Sequence, residues 1–473
     1  MKNFQPFFKN KKVLLVGLGQ LGGGVGTAKF LLKNNVNLAI TDLRTNKELR
    51  KSLNKLKKFK MRFRLGGHDD RDFKNSDIIV FNPAVSAFSV WVKKAKKFGK
   101  EIYNDYTLFL KLLSFRNRPG KFIGITGTRG KTTVANWTAH FLSPAVLGGN
   151  IPGKGLLNII DEIKNDKPAV LELSSYQLEY LDKKTPTIAP HIAVITNLFQ
   201  DHLNRYKTMV KYGRIKSLIF SGQTRGDFLI LNNDDKNLNF FLKEKPKSRL
   251  YFFSLKSLPP EKNGVFFRGE KIFFQENGDK KNIVAVKNLS PHQKHNLLAS
   301  ILVAYLSGES WETLTTKINN LPVIAFREEI VLKNKSFLIV NDSAATSPDG
   351  TIAAIERFKR FKNRFFLICG GTDKDLDFSG LAGYIKKNIL PRNLFLLKGS
   401  ATLELISCLN KIGYFKKSGE KHLHDTLEEI IRKLSKVKKG VIVFSPAAAS
   451  FEKFKNEFDR GNKFNKLVKK YFN

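Results

Sequence analysis

The chain has 473 residues, 42% of them hydrophobic, and a formal net charge of +42 from 83 Lys+Arg against 41 Asp+Glu. That length exceeds what one ordinary core serves, so two or three domains are expected. Two cysteines, Cys369 and Cys408, argue against a disulfide framework and suit a reducing cytoplasm, and no apolar run approaches the length of a membrane span. The lysines are spread along the chain rather than gathered on one tail or helix face, and no DNA- or RNA-binding motif accompanies them. Anionic small ligands and a solvated basic surface therefore account for the charge better than nucleic acid does.

Lys9 to Lys12 followed by Val13-Leu-Leu-Val16 imitates the start of a signal peptide, but glycines interrupt the apolar run at once, so it reads as a first strand. The strand opens into Gly17-Leu-Gly19-Gln-Leu-Gly22, a helical stretch runs to about Asn34, and Asn37 to Asp42 forms a second strand with an acidic end. This is a G-x-G-x-x-G fingerprint in a βαβ setting. Taken alone it predicts a nicotinamide-dependent oxidoreductase. Its physical content is broader, because the turn and helix N-terminus accept any nucleotide diphosphate, with Asp42 placed for a ribose or base edge. Two β-like runs follow, Asp77 to Phe81 closing on Asn82-Pro83-Ala84, and Glu101 to Tyr103. The polar stretch Arg116 to Gly120 then reads as a linker.

The next strand, Phe122 to Ile125, leads into Thr126-Gly-Thr-Arg-Gly130-Lys131-Thr132-Thr133 and a helical pattern from Val134 to Leu142. Strand, glycine loop and helix N-terminus make a phosphate cradle, with Lys131 as a point charge and the Thr132 hydroxyl as a Mg²⁺ ligand. A strict P-loop would place its first glycine where Ile125 stands, so the motif is a variant. Val146 to Gly153 reads as a turn-rich loop, and Ala169 to Glu172 as a strand ending in a carboxylate suited to metal binding. Ser174 and Gln177 form a capping box for the next helix.

A strand from His191 to Thr196 runs into Asn197-Leu-Phe-Gln-Asp201-His202-Leu-Asn-Arg205-Tyr206, and Lys216 follows on the helical pattern Tyr212 to Phe220. Phe228 to Leu231 is a further strand, Gly264 to Val286 alternates as antiparallel strands do, and His295-Asn296 opens an apolar helix. Beyond a boundary at Leu321-Pro322, strand–loop–helix units recur. Polar clusters sit after their strands at Asn341-Asp342-Ser343, Gly370 to Lys374, Lys398-Gly399 and Ser445-Pro446. The predicted fold class is α/β in three domains. Residues 1–118 form a Rossmann-like unit, 119–322 a P-loop ATPase-type unit with extra antiparallel strands, and 323–473 a second Rossmann-like unit.

Together, these stretches resemble the Mur ligases of peptidoglycan synthesis, and among them the branch that adds D-glutamate. The resemblance spans nearly the whole chain. It is carried by Thr126 to Thr133, Leu171-Glu-Leu-Ser-Ser-Tyr-Gln-Leu-Glu179 and Asp201 to Tyr206. It continues through His295-Asn296, Arg327-Glu-Glu329, Asn341 to Ser343, Gly370 to Lys374, Ser445-Pro-Ala-Ala-Ala-Ser450 and Arg460-Gly-Asn462. It implies an ATP-dependent ligase that joins D-glutamate to UDP-N-acetylmuramoyl-L-alanine through an acyl phosphate, acting as a cytoplasmic monomer. It further implies that Gly127, Thr128, Arg129, Gly130, Lys131, Thr132, Thr133, Asn296, Arg327 and Asp342 bind ATP. Gln20, Leu21, Asp42, Leu43 and Arg44 would form the uridine-diphosphate pocket, while Asn150 and Ser174 meet the muramoyl-alanine part. Thr346, Lys374, Ser450 and Phe451 would receive the amino acid. Two Mg²⁺ sites are implied, one on Thr132 and Glu172, the other on His202 and Lys216 as its carbamate, with Lys131, His202 and Lys216 the catalytic residues.

Three positions depart from the family pattern. Phe326 precedes Arg327 where a histidine is usual, Ala344 replaces a lysine, and an aromatic expected just after Asn456 is displaced to Phe458 behind Glu457. The second and third bear on the amino-acid side, which leaves another acceptor, as in other Mur-type or folylpolyglutamate-type ligases, as the alternative. A basic nucleic-acid-binding ATPase is a further class, predicting ATPase activity stimulated by DNA or RNA.

Overall fold

Short, buried apolar runs separated by helices build three sheets in the computed structural model, which describes residues 4–20, 22–115, 121–164, 166–181, 188–287, 289–415 and 419–472. Leu21 and the linker 116–120 lie outside the described residues. The first sheet holds β1 (Lys12–Val16), β2 (Asn37–Asp42), β3 (Arg62–Leu65), β4 (Ile78–Phe81) and β5 (Glu101–Asn104), all parallel in the order β3-β2-β1-β4-β5. β4 is buried throughout, as is β1 beyond Lys12, as a parallel sheet covered on both faces requires. The order reverses between β1 and β4, so the loops leaving their carboxyl ends, from Gly17 and from Asn82, flank the crevice where such sheets take ligands. β3 was not legible in the sequence, because it is an edge strand whose arginines leave it largely exposed.

The second sheet comprises β6 (Phe122–Thr126), β7 (Val146–Gly149), β8 (Ala169–Glu172), β9 (Ile192–Ile195), β10 (Phe228–Asn232), β11 (Arg249–Ser254), β12 (Gly264–Arg268), β13 (Lys271–Glu276) and β14 (Asp279–Ala285). Their order is β14-β13-β12-β11-β10-β9-β6-β8-β7, parallel except for the pairings of β13 with its two neighbours. The segment from Val146, expected as a loop, starts as the edge strand β7. Its glycines permit this: Gly149 has φ +106°, and a Cβ there would lie 2.1 Å from the Glu172 carbonyl oxygen, so only glycine lets β7 close on β8. β6 lies between β8 and β9, with Ile125 beside Glu172 and Thr126 beside Ile195, which puts the P-loop next to the carboxylate of β8.

The third sheet holds β15 (Glu329–Lys333), β16 (Phe337–Asn341), β17 (Phe365–Cys369), β18 (Leu394–Leu397), β19 (Leu423–His424) and β20 (Gly440–Phe444) in the order β15-β16-β20-β17-β18-β19, parallel except for β15. The chain divides into two compact units, one of Met1–Lys287 with Lys294–Leu321, which carries the first two sheets, the other of Asn288–Gln293 with Pro322–Asn473. The helix Pro291–Leu306 starts four residues before the His295 expected from its apolar pattern.

Within the first unit, the two sheets are joined by a buried ion pair. Arg205 donates to both oxygens of Glu179, Nη2 to Oε1 at 2.5 Å and Nε to Oε2 at 3.1 Å. The same guanidinium donates to the carbonyls of Pro83, Ala84 and Val85 at 2.9, 3.0 and 3.2 Å. Glu179 also accepts from the Ala87 amide at 2.7 Å. With Glu179 fully buried, removing it strands a charge. Glu179→Ala is expected to lower the unfolding free energy of this unit by about 3 kcal/mol, read from urea denaturation.

Candidate active site

The P-loop leaves β6 at Thr126 and enters the helix Lys131–Phe141 through two glycines with positive φ. Gly127 has φ +144°, and a Cβ on it would stand 1.9 Å from Thr196 Oγ1. Gly130 has φ +81°, and a Cβ there would stand 2.4 Å from Asn296 Oδ1, so the Asn296 carboxamide lies directly over the loop. The end of β9 holds the loop in shape. The Thr128 amide donates to the Asn197 carbonyl at 3.0 Å, the Arg129 amide to Asn197 Oδ1 at 2.9 Å, and the Thr196 hydroxyl to the Arg129 carbonyl at 2.6 Å. These bonds leave the helix N-terminus, with its partial positive charge, as the floor of an anion site.

Cations crowd this cradle. Lys131 Nζ donates to the Gly127 and Thr128 carbonyls at 3.1 Å each, and Lys216 Nζ donates to the same Gly127 carbonyl at 2.8 Å. Lys216 is only 1% exposed, and its ammonium lies 4.5 Å from the centre of the Tyr212 ring. Burial, and then the charge of Lys131, hold its pKa well below that of an ordinary lysine, whereas Asp201 opposes them. Arg129 Nη1 donates to Asp201 Oδ2 at 2.7 Å.

Glu172 closes β8 at 2% exposure. Its Oε1 is 3.5 Å from Asn150 Nδ2, whereas Oε2 is buried with no hydrogen-bond partner. A buried carboxylate oxygen left without a partner is costly unless a cation completes it. A carboxylate and a threonine hydroxyl, the donors expected from Glu172 and Thr132, are oxygen ligands of the kind that Mg²⁺ takes together with phosphate oxygens. Among the described residues no three His, Cys, Asp or Glu side chains stand together as a ready-made metal cage. His202 sits in a left-handed turn, φ +55°, with Nδ1 3.1 Å from the Tyr176 hydroxyl and 3.7 Å from Asp201 Oδ1. Ser174 caps the following helix, accepting from the Gln177 amide at 3.3 Å.

At the first glycine loop, Gly17, Gly19 and Gly22 all have positive φ, and a Cβ on Gly24 would meet the Leu18 carbonyl oxygen at 2.4 Å. Asp42 is 2% exposed, and its oxygens accept from the Gly19 and Arg44 amides at 2.9 Å each. It therefore braces the loop rather than offering both oxygens to a ligand. The Gln20 carboxamide donates to the Glu48 carbonyl at 3.0 Å, Leu43 is 61% exposed, and the Arg44 side chain is half exposed.

The second unit carries Arg327, Asp342, Thr346, Lys374, Ser450 and Phe451. Asp342 accepts from the Ser445 hydroxyl at 2.7 Å and from the Glu328 amide at 3.2 Å, and burial with the nearby Glu328 charge pushes its carboxyl up to about 7. Arg327 is presented between two residues with positive φ, Phe326 at +61° and Glu328 at +49°, a strained backbone of the kind found at functional sites. The fully buried Arg460 draws three motifs together, donating to the Ser343 hydroxyl at 3.1 Å and carbonyl at 2.8 Å and to the Ala448 and Ala449 carbonyls at 3.0 Å. Thr372 pairs with Ala449, bringing in the loop of Lys374. The Ser450 hydroxyl is buried without a partner, whereas Phe451 is 62% exposed. Two of the family departures meet here, since the rings of Phe326 and Phe458 pack edge to face at 6.1 Å. Sequence reasoning did not assign roles to Arg460, Arg205, Glu179 or Tyr176. All four lie inside quoted motifs, but only the fold shows that Arg460 and Glu179 are buried and that Arg205 and Tyr176 are partly so.

Residues 125–304 match the Mur ligase middle domain, and residues 11–104 the Mur ligase MurD-like N-terminal domain. A UDP-N-acetylmuramoylalanine–D-glutamate ligase of Borreliella burgdorferi (strain ZS7) is 36% identical, with 97% of this chain and 98% of that protein covered. This chain belongs to the Mur ligase family. A ligase of the same name from Roseiflexus sp. (strain RS-1) is 31% identical over 98% of this chain and 99% of its own. The Mur ligase fold recurs in the solved UDP-N-acetylmuramate–alanine ligase MurC of Thermotoga maritima, with TM-score 0.61, 17% identity and coverage of 98% and 100%. It recurs also in the MurF ligase of Thermotoga maritima in complex with ADP, with TM-score 0.54, 18% identity and coverage of 85% and 91%.

Because no Cβ fits at Gly127, Gly127→Ala is expected to displace the loop from Thr196. It should weaken binding of a non-hydrolysable ATP analogue by about 10- to 10²-fold, the loss of one hydrogen bond to a charged group, measured by calorimetry.

Proposed function

We propose that this protein is the ATP-dependent ligase that adds D-glutamate to UDP-N-acetylmuramoyl-L-alanine in peptidoglycan precursor synthesis. The observation that carries this reading is the pairing of a self-occupied P-loop with a second glycine loop at the switch point of a parallel sheet, in a chain aligned almost end to end with ligases of that name. The first glycine loop, with Gln20, Leu21, Leu43 and Arg44, anchors the uridine diphosphate, and Asp42 holds that loop in shape. Asn150 and Ser174 meet the muramoyl-alanine part. Thr346, Lys374, Ser450 and Phe451 receive D-glutamate, the buried Ser450 hydroxyl being the donor or acceptor still lacking a partner. We read the chain as three domains, 1–118, 119–322 and 323–473, in a monomeric cytoplasmic enzyme whose product feeds wall growth, cell shape and division.

In the reaction, a carboxylate oxygen of the alanyl end bonds to the γ-phosphorus of ATP as the bond to the β-bridging oxygen breaks, giving an acyl phosphate and ADP. The neutral amine of D-glutamate then bonds to the acyl carbon, loses a proton, and inorganic phosphate departs. Little covalent chemistry falls to the protein, so positioning and charge stabilisation dominate. Lys131 turns from the Gly127 and Thr128 carbonyls to the β- and γ-phosphates, the amides of Gly127 to Thr133 line the cradle, and Asn296, Arg327 and Asp342 also bind ATP.

Thr132 and Glu172 would hold one Mg²⁺, and His202 with carbamylated Lys216 a second. When bound, these ions neutralise charge on the transferring phosphoryl oxygens. The Lys216 environment supports carbamylation. A depressed pKa keeps a larger share of the amine neutral, the form that adds to CO₂. The carbamate then replaces an ammonium crowded by Lys131 with an anion that attracts it.

Phosphate release is expected to require ATP, UDP-N-acetylmuramoyl-L-alanine and D-glutamate together. Stimulation by a different amino acid instead would reassign the acceptor, the outcome that Ala344 keeps in view. Lys216→Ala is expected to be inactive and to regain part of its turnover in a short carboxylic acid such as acetate; full activity without rescue would remove the carbamate from the mechanism.

A further inference from the structure

His202 is the one proposed metal-binding side chain here that hangs from an irregular turn rather than a strand end or regular helix. Its backbone lies in the left-handed region, and the helix that follows, Leu203–Tyr206, is a single turn. Within the turn, the Asp201 carboxylate lies 3.7 Å from Nδ1, beyond hydrogen-bond distance, and the packing around the ring supplies a closer partner. The Tyr176 hydroxyl is 3.1 Å from Nδ1, the two rings lie 5.0 Å apart, and Tyr212 meets the imidazole edge to face at 6.0 Å. The Arg205 guanidinium lies 3.9 Å from the centre of the Tyr176 ring, so the tyrosine is held between a cation and the histidine. Arg205 is itself over-determined, by Glu179 and by the carbonyls of Pro83, Ala84 and Val85.

That turn leads back to the other glycine loop. A Cβ built on Gly17 would meet Asn82 Cβ at 3.0 Å and Val85 Cγ2 at 3.4 Å, and one on Gly19 would meet Asn82 Nδ2 at 3.6 Å. The Gly17–Gly19 loop therefore lies close beside the Asn82–Val85 turn, whose carbonyls hold the Arg205 that stacks on Tyr176 and so stands behind His202. We infer that Tyr176 and Arg205 are positioning residues for His202: Arg205 stacks on Tyr176, whose hydroxyl oxygen accepts the Nδ1 proton of His202 and leaves Nε2 as the nitrogen that faces a divalent cation. The inference rests on the reading of His202 as a metal-binding residue. It extends that reading by naming the groups that set the ring's angle and tautomer. A histidine that binds a metal through one nitrogen commonly has the other held by a hydrogen-bond partner, and losing that partner commonly costs about 10- to 100-fold in metal affinity.

The test uses the full chain with Tyr176→Phe, which keeps the ring, its packing and the cation contact but removes the hydroxyl, and with Arg205→Lys, which keeps charge but cannot span Glu179 and three carbonyls. Two readouts are taken: ¹⁵N resonances of the His202 imidazole without metal, and Mn²⁺ affinity by electron paramagnetic resonance in the presence of a non-hydrolysable ATP analogue. Wild type is expected to show one tautomer, with the proton on Nδ1. Tyr176→Phe should show a mixture, bind Mn²⁺ about 10- to 100-fold more weakly, and keep its thermal midpoint, and Arg205→Lys should change in the same direction. An unchanged tautomer pattern in Tyr176→Phe, or a wild type protonated on Nε2, would overturn the inference. His202→Ala separates the two levels. If it binds Mn²⁺ like wild type, the metal role of His202 falls, while the tautomer measurement still decides whether Tyr176 positions the ring.

Discussion

Two lysine ammonium groups meet on one backbone oxygen, the carbonyl of Gly127, and much of the site follows from that arrangement. The carbonyl can be shared only because Gly127 has no side chain to strike Thr196 and because Thr196 and Asn197 fix the loop from the neighbouring strand. Like charges held this close in a buried place are unfavourable unless an anion joins them. In the proposed function, a phosphate group would do so by drawing Lys131 outward, and a carbamate on Lys216 by reversing one of the charges. The cradle thus favours anionic ligands through the repulsion of its two ammonium groups, which Asp201 opposes, as well as through the dipole of the helix behind it.

The same logic runs through the acidic groups. Glu172 buries an oxygen without a partner next to the loop, while Asp42, which looks equivalent in sequence, has both oxygens satisfied by backbone amides. One carboxylate is therefore prepared for a cation and the other is a brace. Position at a strand end does not distinguish them; the hydrogen-bond inventory does. Arg205 and Glu179 make a third kind of use of buried charge, tying the Asn82–Val85 turn of one sheet to the segment that carries Tyr176 and His202 of the next.

In the second unit, two departures from the family pattern meet. Phe326, which stands where the pattern has a histidine, packs edge to face on Phe458, the displaced aromatic, and lies over Gly461, where a Cβ would come within 2.3 Å of the Phe326 ring. Arg460 shows a dependence on context: it reads as one basic residue among 83 Lys+Arg, yet it is fully buried and binds Ser343, Ala448 and Ala449.

From the sequence alone, most strands with continuous apolar runs, both glycine loops, the capping box and the order of the motifs were legible, whereas β11, with its Leu-Tyr-Phe-Phe run, was not read. Each legible feature depends on residues adjacent in the chain: backbone sterics at glycine, short unbroken apolar runs, and a hydroxyl three residues from its partner amide. The edge strands β3 and β7 were not, because exposed arginines hide the alternation in one and paired glycines imitate a turn in the other. Nor could the sequence show which charges are buried, which carboxylate lacks a partner, or that Tyr176 stands against His202. Those facts arise from contacts between residues distant along the chain, such as Arg205 with Glu179 and the 83–85 turn, and only the stacking of β6, β8 and β9 brings Glu172, Thr196 and Gly127 to one end of one sheet.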